Sequence, residues 1–275
     1  MGEEKQQKLK DDTTRLEMWE GKIPVSLRLA PNEVMDIPPK PLFLLLPRMG
    51  YLHLSVQEIR DHFAPSAPAR SEEIWFESLG TPLKWNIPFG VLFDLLNGGV
   101  SLPWSITVHF VGFPAADILR CKNGEIIRKH FINTFKEALL LCYGSNPVGC
   151  LKSDDQNQLW DSVTQCKYYL FQPIARAVSS GRVLNRFPIR IIINGFRTAY
   201  DLRPIQRPLQ VTISEDCQQT LGSCLAHSIP GIMKAASPPT VFVQGLKIPL
   251  NTPLDWLVQH CSHPDHFLYI SVVNS

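Results

Sequence analysis

Thiols and imidazoles are the first chemistry these residues offer. An imidazole within reach of a cysteine can generate a thiolate nucleophile, and Cys142 with His130, or Cys224 with His227, are combinations of that type. Neither comes with the nucleophile elbow or oxyanion-hole motif that acyl transfer needs. A buried cysteine acting as a small hydrophobe is the commoner role. His260, Cys261, His263 and His266 carry metal-ligand atoms close together in the chain. Pro264 interrupts any helix between them and their spacing fits no standard zinc pattern, so neither a metal nor another cofactor is expected. The cysteines number seven, lie scattered from Cys121 to Cys261 and form no CxxC pair. That usage predicts reduced thiols of a cytosolic protein, not a disulfide framework.

Amines and guanidiniums are the next candidates. In GEIIRKHFINTFKEALLLCY, Ile127, Phe131, Phe135, Ala138 and Cys142 recur at spacings of four and three and form one apolar helical stripe. Lys136 lies about 140° from Phe131 on a 3.6-residue wheel, with Arg128, Lys129 and Asn133 on the wet face. Solvation is the ordinary fate of such a lysine, and Leu140 is its apolar neighbour one turn on. Further along, Arg182, Arg186, Arg190, Arg197, Arg203 and Arg207 stand against one acid, Asp201, a local charge of +5. Such a stretch suits an acidic lipid surface or an acidic partner helix. It equally suits edge strands that use charge to discourage aggregation.

Elements able to position these groups can be read from periodicity and punctuation. The first ten residues are polar or charged and are expected to stay unfolded. DDTTRLEMWEG then predicts a short helix with an apolar edge of Leu16, Met18 and Trp19, stopped at Gly21. That edge either docks on the first folded domain or contributes to a partner groove. IPVSLRLA and FLLLPR read as strands, YLHLSVQEIRDHF as a helix, EIWFESLG as a strand, PFGVLFDLL as a helix and WSITVHF as a closing strand. The order β-β-α-β-α-β is that of a ubiquitin-like grasp.

The ending of that unit recurs in the last third of the chain, which is the most informative pattern present. VFVQGLKIPLNTPLDWLVQHC closes with HFLYISVV, and the step from glycine to helix-opening proline is the same, Gly80 to Pro88 and Gly245 to Pro253. Upstream, FPIRIIING and PLQVTI read as a hairpin and TLGSCLAHSIPGI as a helix. Between the two units strand signals vanish, and helices are expected in DDQNQLWDSVTQCKYYLF and PIARAV, with Leu159 and Trp160 as core anchors.

Composition agrees with a folded chain. Its 275 residues are 44% apolar and 19% charged, enough to bury one large core or several small ones. A formal charge of +2 gives no polyelectrolyte character that would argue for nucleic acid. The N-terminus is charged where a signal peptide needs apolar residues, and Gln6 stands where a myristoylation signal prefers Ser or Thr. An intracellular, soluble protein is expected.

The runs FLLLPRMGYL, EIWFESLGTPLKWNIPFGVLFDLL, LPWSITVHF, HFINTFKEA, the Leu-Trp after Gln158, and PLNTPLDWLVQHCSHPDHFLYISVV resemble the autophagy-related protein 5 family. They cover nearly the whole chain in the right order. The resemblance implies an α+β fold in which two ubiquitin-like β-grasp domains flank a helix-rich domain, with a short N-terminal helix. The corresponding divisions are 1–21 for the tail and helix, 22–113 for the first grasp domain, 114–181 for the helical domain and 182–275 for the second grasp domain.

It also implies an acceptor and scaffold, not an enzyme. Lys136, within the family's Phe-x-x-x-x-Lys-Glu-Ala helix, would form an isopeptide bond with the C-terminal glycine of autophagy-related protein 12, a ubiquitin-like modifier. The modifier's activating and conjugating enzymes would be transient partners. A coiled-coil scaffold, autophagy-related protein 16, would bind, with Leu16, Met18 and Trp19 as candidate contacts. The assembly would promote transfer of the autophagy-related protein 8 modifier to phosphatidylethanolamine, from the cytoplasm and peripherally on the pre-autophagosomal membrane. An unconjugated ubiquitin-like adaptor and a cysteine hydrolase are the competing readings.

Overall fold

The computed structural model describes residues 13–68, 73–97, 101–144, 151–180, 182, 186–194, 205–212, 219–233 and 239–273. The expected unfolded tail, Arg197 and Arg203 lie outside them. The chain divides into two compact units, Lys22–His130 and Met1–Gly21 with Phe131–Ser275.

The first unit is built on a five-stranded sheet of order β2-β1-β5-β3-β4. Its strands are β1 (Lys22–Leu29), β2 (Leu42–Pro47), β3 (Trp75–Ser78), β4 (Thr81–Pro82) and β5 (Trp104–His109). β1 pairs antiparallel with β2 and parallel with β5, so it lies inside the sheet and Ile23, Val25, Leu27 and Leu29 alternate into the core. After the N-terminal helix α1 (13–20) in the chain, helices α2 (Val56–Phe63) and α3 (Phe89–Leu96) complete the grasp, burying Ile59, Phe63, Phe89, Leu92 and Leu95. As the edge strand, β2 leaves Phe43 and Leu45 exposed at 63% and 59%.

Within α3 one acid interrupts an otherwise apolar run. Asp94, 3% exposed, accepts from Arg48 Nη2 at 2.6 Å on both carboxylate oxygens, and the same nitrogen reaches the Gly90 carbonyl at 3.3 Å. The Gly90 N–H donates back to the Arg48 carbonyl at 2.9 Å. A Cβ on Gly90 would stand 2.9 Å from Arg48 Cβ, so this close approach of helix and chain requires glycine.

The second unit carries a sheet of the same topology, β7-β6-β10-β8-β9. It consists of β6 (Arg186–Asn194), β7 (Ile205–Thr212), β8 (Thr240–Val243), β9 (Leu246–Lys247) and β10 (Leu268–Val273). The recurrence read from sequence holds residue by residue. The β3–β4 hairpin pairs Glu77 with Pro82 and Ser78 with Thr81, and the β8–β9 hairpin pairs Phe242 with Lys247 and Val243 with Leu246. Both turn through two residues of positive φ, Leu79 and Gly80 at 51° and 79°, Gln244 and Gly245 at 53° and 82°. This is the hairpin turn that matches strand twist, and glycine takes its second place without steric cost. Pro88 and Pro253 were expected inside the first helical turn. Both are N-caps in extended conformation, ψ 140° and 132°: each follows a turn, closed by the Ile87 N–H to the Lys84 carbonyl and by the Thr252 N–H to the Pro249 carbonyl, and the chain becomes helical only at the next residue.

Helices α4 (Gly124–Tyr143), α5 (Ser153–Thr164) and α6 (Tyr168–Ser179) form the helical region. The sequence placed a break before PIARAV, whereas the chain turns at Cys166, φ 54°, and α6 runs through Pro173. Gln158 Nε2 donates to the Leu170 carbonyl across that turn at 2.7 Å. TLGSCLAHSIPGI, read as one helix, is α7 (Leu221–Ser228) followed by the short turn α8 (Pro230–Met233), since Pro230 supplies no N–H to continue the ladder. With α9 (Leu254–Cys261), α7 covers one face of the second sheet, where Ile189, Ile191, Leu221, Leu225, Leu257 and Ile270 form the core.

His53 provides a test of the first unit. Its ring stands edge-on to Phe76 at 5.1 Å, its Nδ1 is buried, and burial pushes its pKa down to about 3. An unfolded histidine titrates near 6.5, so below that value the unfolded chain takes a proton that the folded chain refuses. This contribution is fully present above about pH 6.5 and is lost as pH falls toward 3, at up to about 1.4 kcal/mol per unit and less where the ring keeps some surface. Urea midpoints measured at about pH 7 and about pH 5 are expected to diverge more for the wild type than for His53→Leu.

Candidate functional site

α4 carries the stripe that the sequence described: Ile127, Phe131, Phe135, Ala138 and Cys142 are all at most 2% exposed. Its buried arc is wider than predicted, however, because Ile132, Thr134 and Leu139 are also buried. Lys136 therefore stands at the margin of the wet face, half-buried, with exposed Asn133 and Leu140 on one side of it and buried Ile132 and Leu139 on the other. Its Nζ donates to Gln156 Oε1 on α5 at 3.3 Å. The Gln156 amide is itself held, Nε2 donating to the Leu151 carbonyl at 3.3 Å. Sequence reasoning did not find Gln156, and no local signal marks it, since the contact arises only when α5 folds back along α4.

Next to Lys136, Glu137 turns toward the second sheet and accepts from Arg190 Nη2 at 3.0 Å. Arg190 also lies 4.0 Å over the Phe267 ring and donates to the Tyr269 hydroxyl at 3.1 Å. The Tyr269 hydroxyl donates to Asp265 at 2.7 Å, whose carboxyl burial pushes up in pKa against the pull of Arg190. This corrects the expected arginine patch. Arg190 points into an aromatic and acidic enclosure on the face of β6 that meets α4, its side chain 21% exposed. Arg182 donates to the Val178 carbonyl, and Arg186 is exposed. Arg207 lies in β7 opposite Ile191.

The helix at 13–20 divides its apolar edge. Trp19 is 3% exposed and packs against Tyr168 and Phe171 of α6, ring centroids 5.6 and 5.0 Å apart. Met18 packs against the second-sheet core. These two belong to the unit of the helical region and not to the first grasp unit, as docking was expected, because their aromatic and aliphatic partners lie there. Leu16, 40% exposed, is the member of the trio turned outward.

Of the thiol and imidazole candidates, Cys224 is buried while His227 is exposed. Cys142 and His130 lie twelve residues apart on α4, about 18 Å along a helix. Burial pushes the Cys142 and Cys261 thiols up to about 12 and raises Cys224 as well, the opposite of what a nucleophilic thiolate needs. His260 stacks on Trp256, His263 meets Tyr269, and His266 lies between Phe135 and Phe171, where burial first and Arg15 second push it down to about 4. Among the described residues no three His, Cys, Asp or Glu side chains come together around a metal position, and no helix is long and apolar enough to cross a membrane.

Three family models account for the architecture. Models described as Autophagy protein ATG5 UblA domain, alpha-helical bundle region and UblB domain match residues 18–110, 124–180 and 186–272. The crystal structure of Kluyveromyces marxianus Atg5 shares the fold, with a TM-score of 0.81 over 96% of this chain and 100% of that one at 21% identity. Autophagy protein 5 of Drosophila melanogaster is 28% identical over 93% of this chain and 94% of its own length. Autophagy protein 5 of Arabidopsis thaliana is 26% identical over 93% and 96%. Two grasp sheets of one topology, the helical region between them in sequence, and matched models over nearly the whole length together show that the chain belongs to the autophagy protein 5 family.

Proposed function

We propose that this chain is a non-catalytic acceptor and scaffold in autophagy, joined through Lys136 to the C-terminal glycine of the ubiquitin-like modifier autophagy-related protein 12. The observation that carries the reading is Lys136 in its Phe-x-x-x-x-Lys-Glu-Ala helix, inside the matched helical region, with its amine at the border of solvent. The chemistry asked of it is simple. The ammonium loses a proton, nitrogen attacks the thioester carbonyl carbon, the carbon–sulfur bond breaks toward the enzyme's cysteine, and a second proton leaves nitrogen as the amide forms. The conjugating enzyme supplies the thioester and the base, so the acceptor needs reach and orientation.

The coiled-coil partner autophagy-related protein 16 completes the complex, with Leu16 as the available residue of the N-terminal helix. The complex promotes transfer of the autophagy-related protein 8 modifier to phosphatidylethanolamine. Reconstitution with the modifier, its activating enzyme and its conjugating enzyme tests the acceptor reading directly. A covalent product lost in Lys136→Arg supports it; activity of the isolated chain abolished by one Cys→Ser substitution supports a hydrolase instead.

Membrane contact by this chain is proposed to be peripheral, from the cytoplasm, and driven by local charge. Each arginine facing an anionic bilayer contributes about 1 kcal/mol, decaying over about 8 Å at physiological salt. Arg186→Glu combined with Arg197→Glu and Arg203→Glu is expected to lower co-flotation with anionic liposomes at low salt, with the difference vanishing at high salt. Equal flotation at low salt removes the patch from the membrane.

A further inference from the structure

We propose that Gln156 is a positioning residue for the acceptor amine, aiming the Lys136 nitrogen through a neutral hydrogen-bond acceptor. The inference rests on the reading of Lys136 as the acceptor. Gln156 Oε1 accepts from Lys136 Nζ at 3.3 Å, and three features fix where that oxygen points. The other end of the amide donates to the Leu151 carbonyl at 3.3 Å. The first turn of α5 is closed by the Lys152 N–H donating to Asp155 at 3.0 Å. The helix meets α4 through Trp160, 5.9 Å from the Phe131 ring, and buries Leu159 fully. The oxygen is thus set by packed backbone, while the lysine it holds is long and flexible.

Holding such a side chain before the encounter removes part of the ordering that attack on the thioester requires. The acceptor's lack of charge matters as much. A carboxylate in this place would stabilise the ammonium and oppose the loss of the proton that precedes attack, whereas an amide oxygen orients the nitrogen without that electrostatic penalty. The surroundings preserve the distinction. On α4, the residues three and four places from Lys136 are Ile132, Asn133, Leu139 and Leu140, none of them ionisable. Adjacent Glu137 is engaged by Arg190 of β6. At the start of α5 the ionisable residues before Gln156 are its N-cap Lys152, Asp154 and Asp155, and Asp155 accepts from the Lys152 backbone N–H.

The test is single-turnover transfer from conjugating enzyme charged with the modifier as its thioester, onto the full chain, followed across pH. Gln156→Met removes the oxygen at similar volume and is expected to slow transfer about threefold to tenfold with the pH midpoint unchanged. Gln156→Glu keeps an oxygen in place and adds charge. It is expected to shift the rising limb of the profile to higher pH, with the rate recovering toward wild type at the alkaline end. A merely structural role for Gln156 would produce no such shift. Wild-type profiles for both variants, or a Gln156→Glu rate lowered equally at every pH, would overturn the proposal. Lys136→Arg run in parallel separates the two levels: product persisting there removes the acceptor reading itself, while product lost there with indifferent Gln156 variants removes only the positioning role.

Discussion

Lys136→Arg is expected to abolish the covalent product with the ubiquitin-like modifier while leaving the fold intact. Arginine keeps the positive charge and much of the length of lysine, but its guanidinium does not give up a proton in proteins and cannot attack a thioester. The structural cost is small because Lys136 is half-buried and its polar contact is one hydrogen bond to an amide. Surface changes of this kind stay within about 0.5 kcal/mol. Thermal melts of the two proteins should coincide, and a denaturing gel should show the slower band with the wild type alone. Lys129 is the informative control, since it is exposed on the same helix two turns upstream, about 10 Å away along the axis. Modification migrating to Lys129 in the variant, located by mass spectrometry, would mean that the conjugating enzyme selects a region of α4 and not one oriented amine.

Asp94→Ala should produce the largest loss of stability in the first grasp unit. The Arg48–Asp94 pair is 2.6 Å long with both side chains nearly out of water. Removing one member leaves a guanidinium buried without its counter-charge, which costs about 3–5 kcal/mol, a large share of the about 5–15 kcal/mol that holds a typical domain together. Chemical denaturation should show a lower midpoint for Asp94→Ala than for Asp94→Asn, which retains one acceptor. Replacing both partners by apolar residues, Arg48→Met with Asp94→Leu, should recover most of the loss. A single variant within about 1 kcal/mol of wild type would mean that water reaches the site and screens the pair.

Asp94 also shows what could have been read further from the residues. A lone acid in FGVLFDLL, a segment apolar all round, has to be paired if the helix is buried, and Arg48 closes the equally apolar FLLLPR. The pair was deducible; its geometry was not. Strands and helices of both grasp units were legible because alternation, the Gly-to-Pro step and a shared closing strand all specify the same topology. The helical region was less so. Its break follows from a left-handed Cys166, a residue type that carries no turn signal, and Pro173 drew the boundary to the wrong place because proline's usual effect was overridden by packing. The arginine stretch misled for a related reason. Charge counted along sequence takes no account of strand pleat, which sends Arg190 and Arg186 along one face while α4, Phe267 and Tyr269 cover only part of it. At the candidate site, Lys136 could be found from one helix's pattern, whereas Gln156 belongs to another helix and appears only in three dimensions.

The parallel strand pairs set the order in which the chain can mature. In the first unit Val25 pairs with Trp104, and in the second Ile189 pairs with Leu268, so each central strand waits for the same stretch of chain, 79 residues in both cases. Pairings this distant form slowly, because loop closure precedes any reward from contact. During synthesis the first sheet can close while the rest is still being made, as N-terminal domains generally do. The helix at 13–20 cannot follow suit. Met18 packs against a core that includes Val272, and Trp19 against rings of α6, so a segment translated before the first sheet finds its place only after it. Until α6 leaves the ribosome Trp19 lacks its aromatic partners, and until β10 follows Met18 lacks its core, so both remain an unsatisfied apolar pair on the nascent chain, available to chaperones before they are available to their own fold.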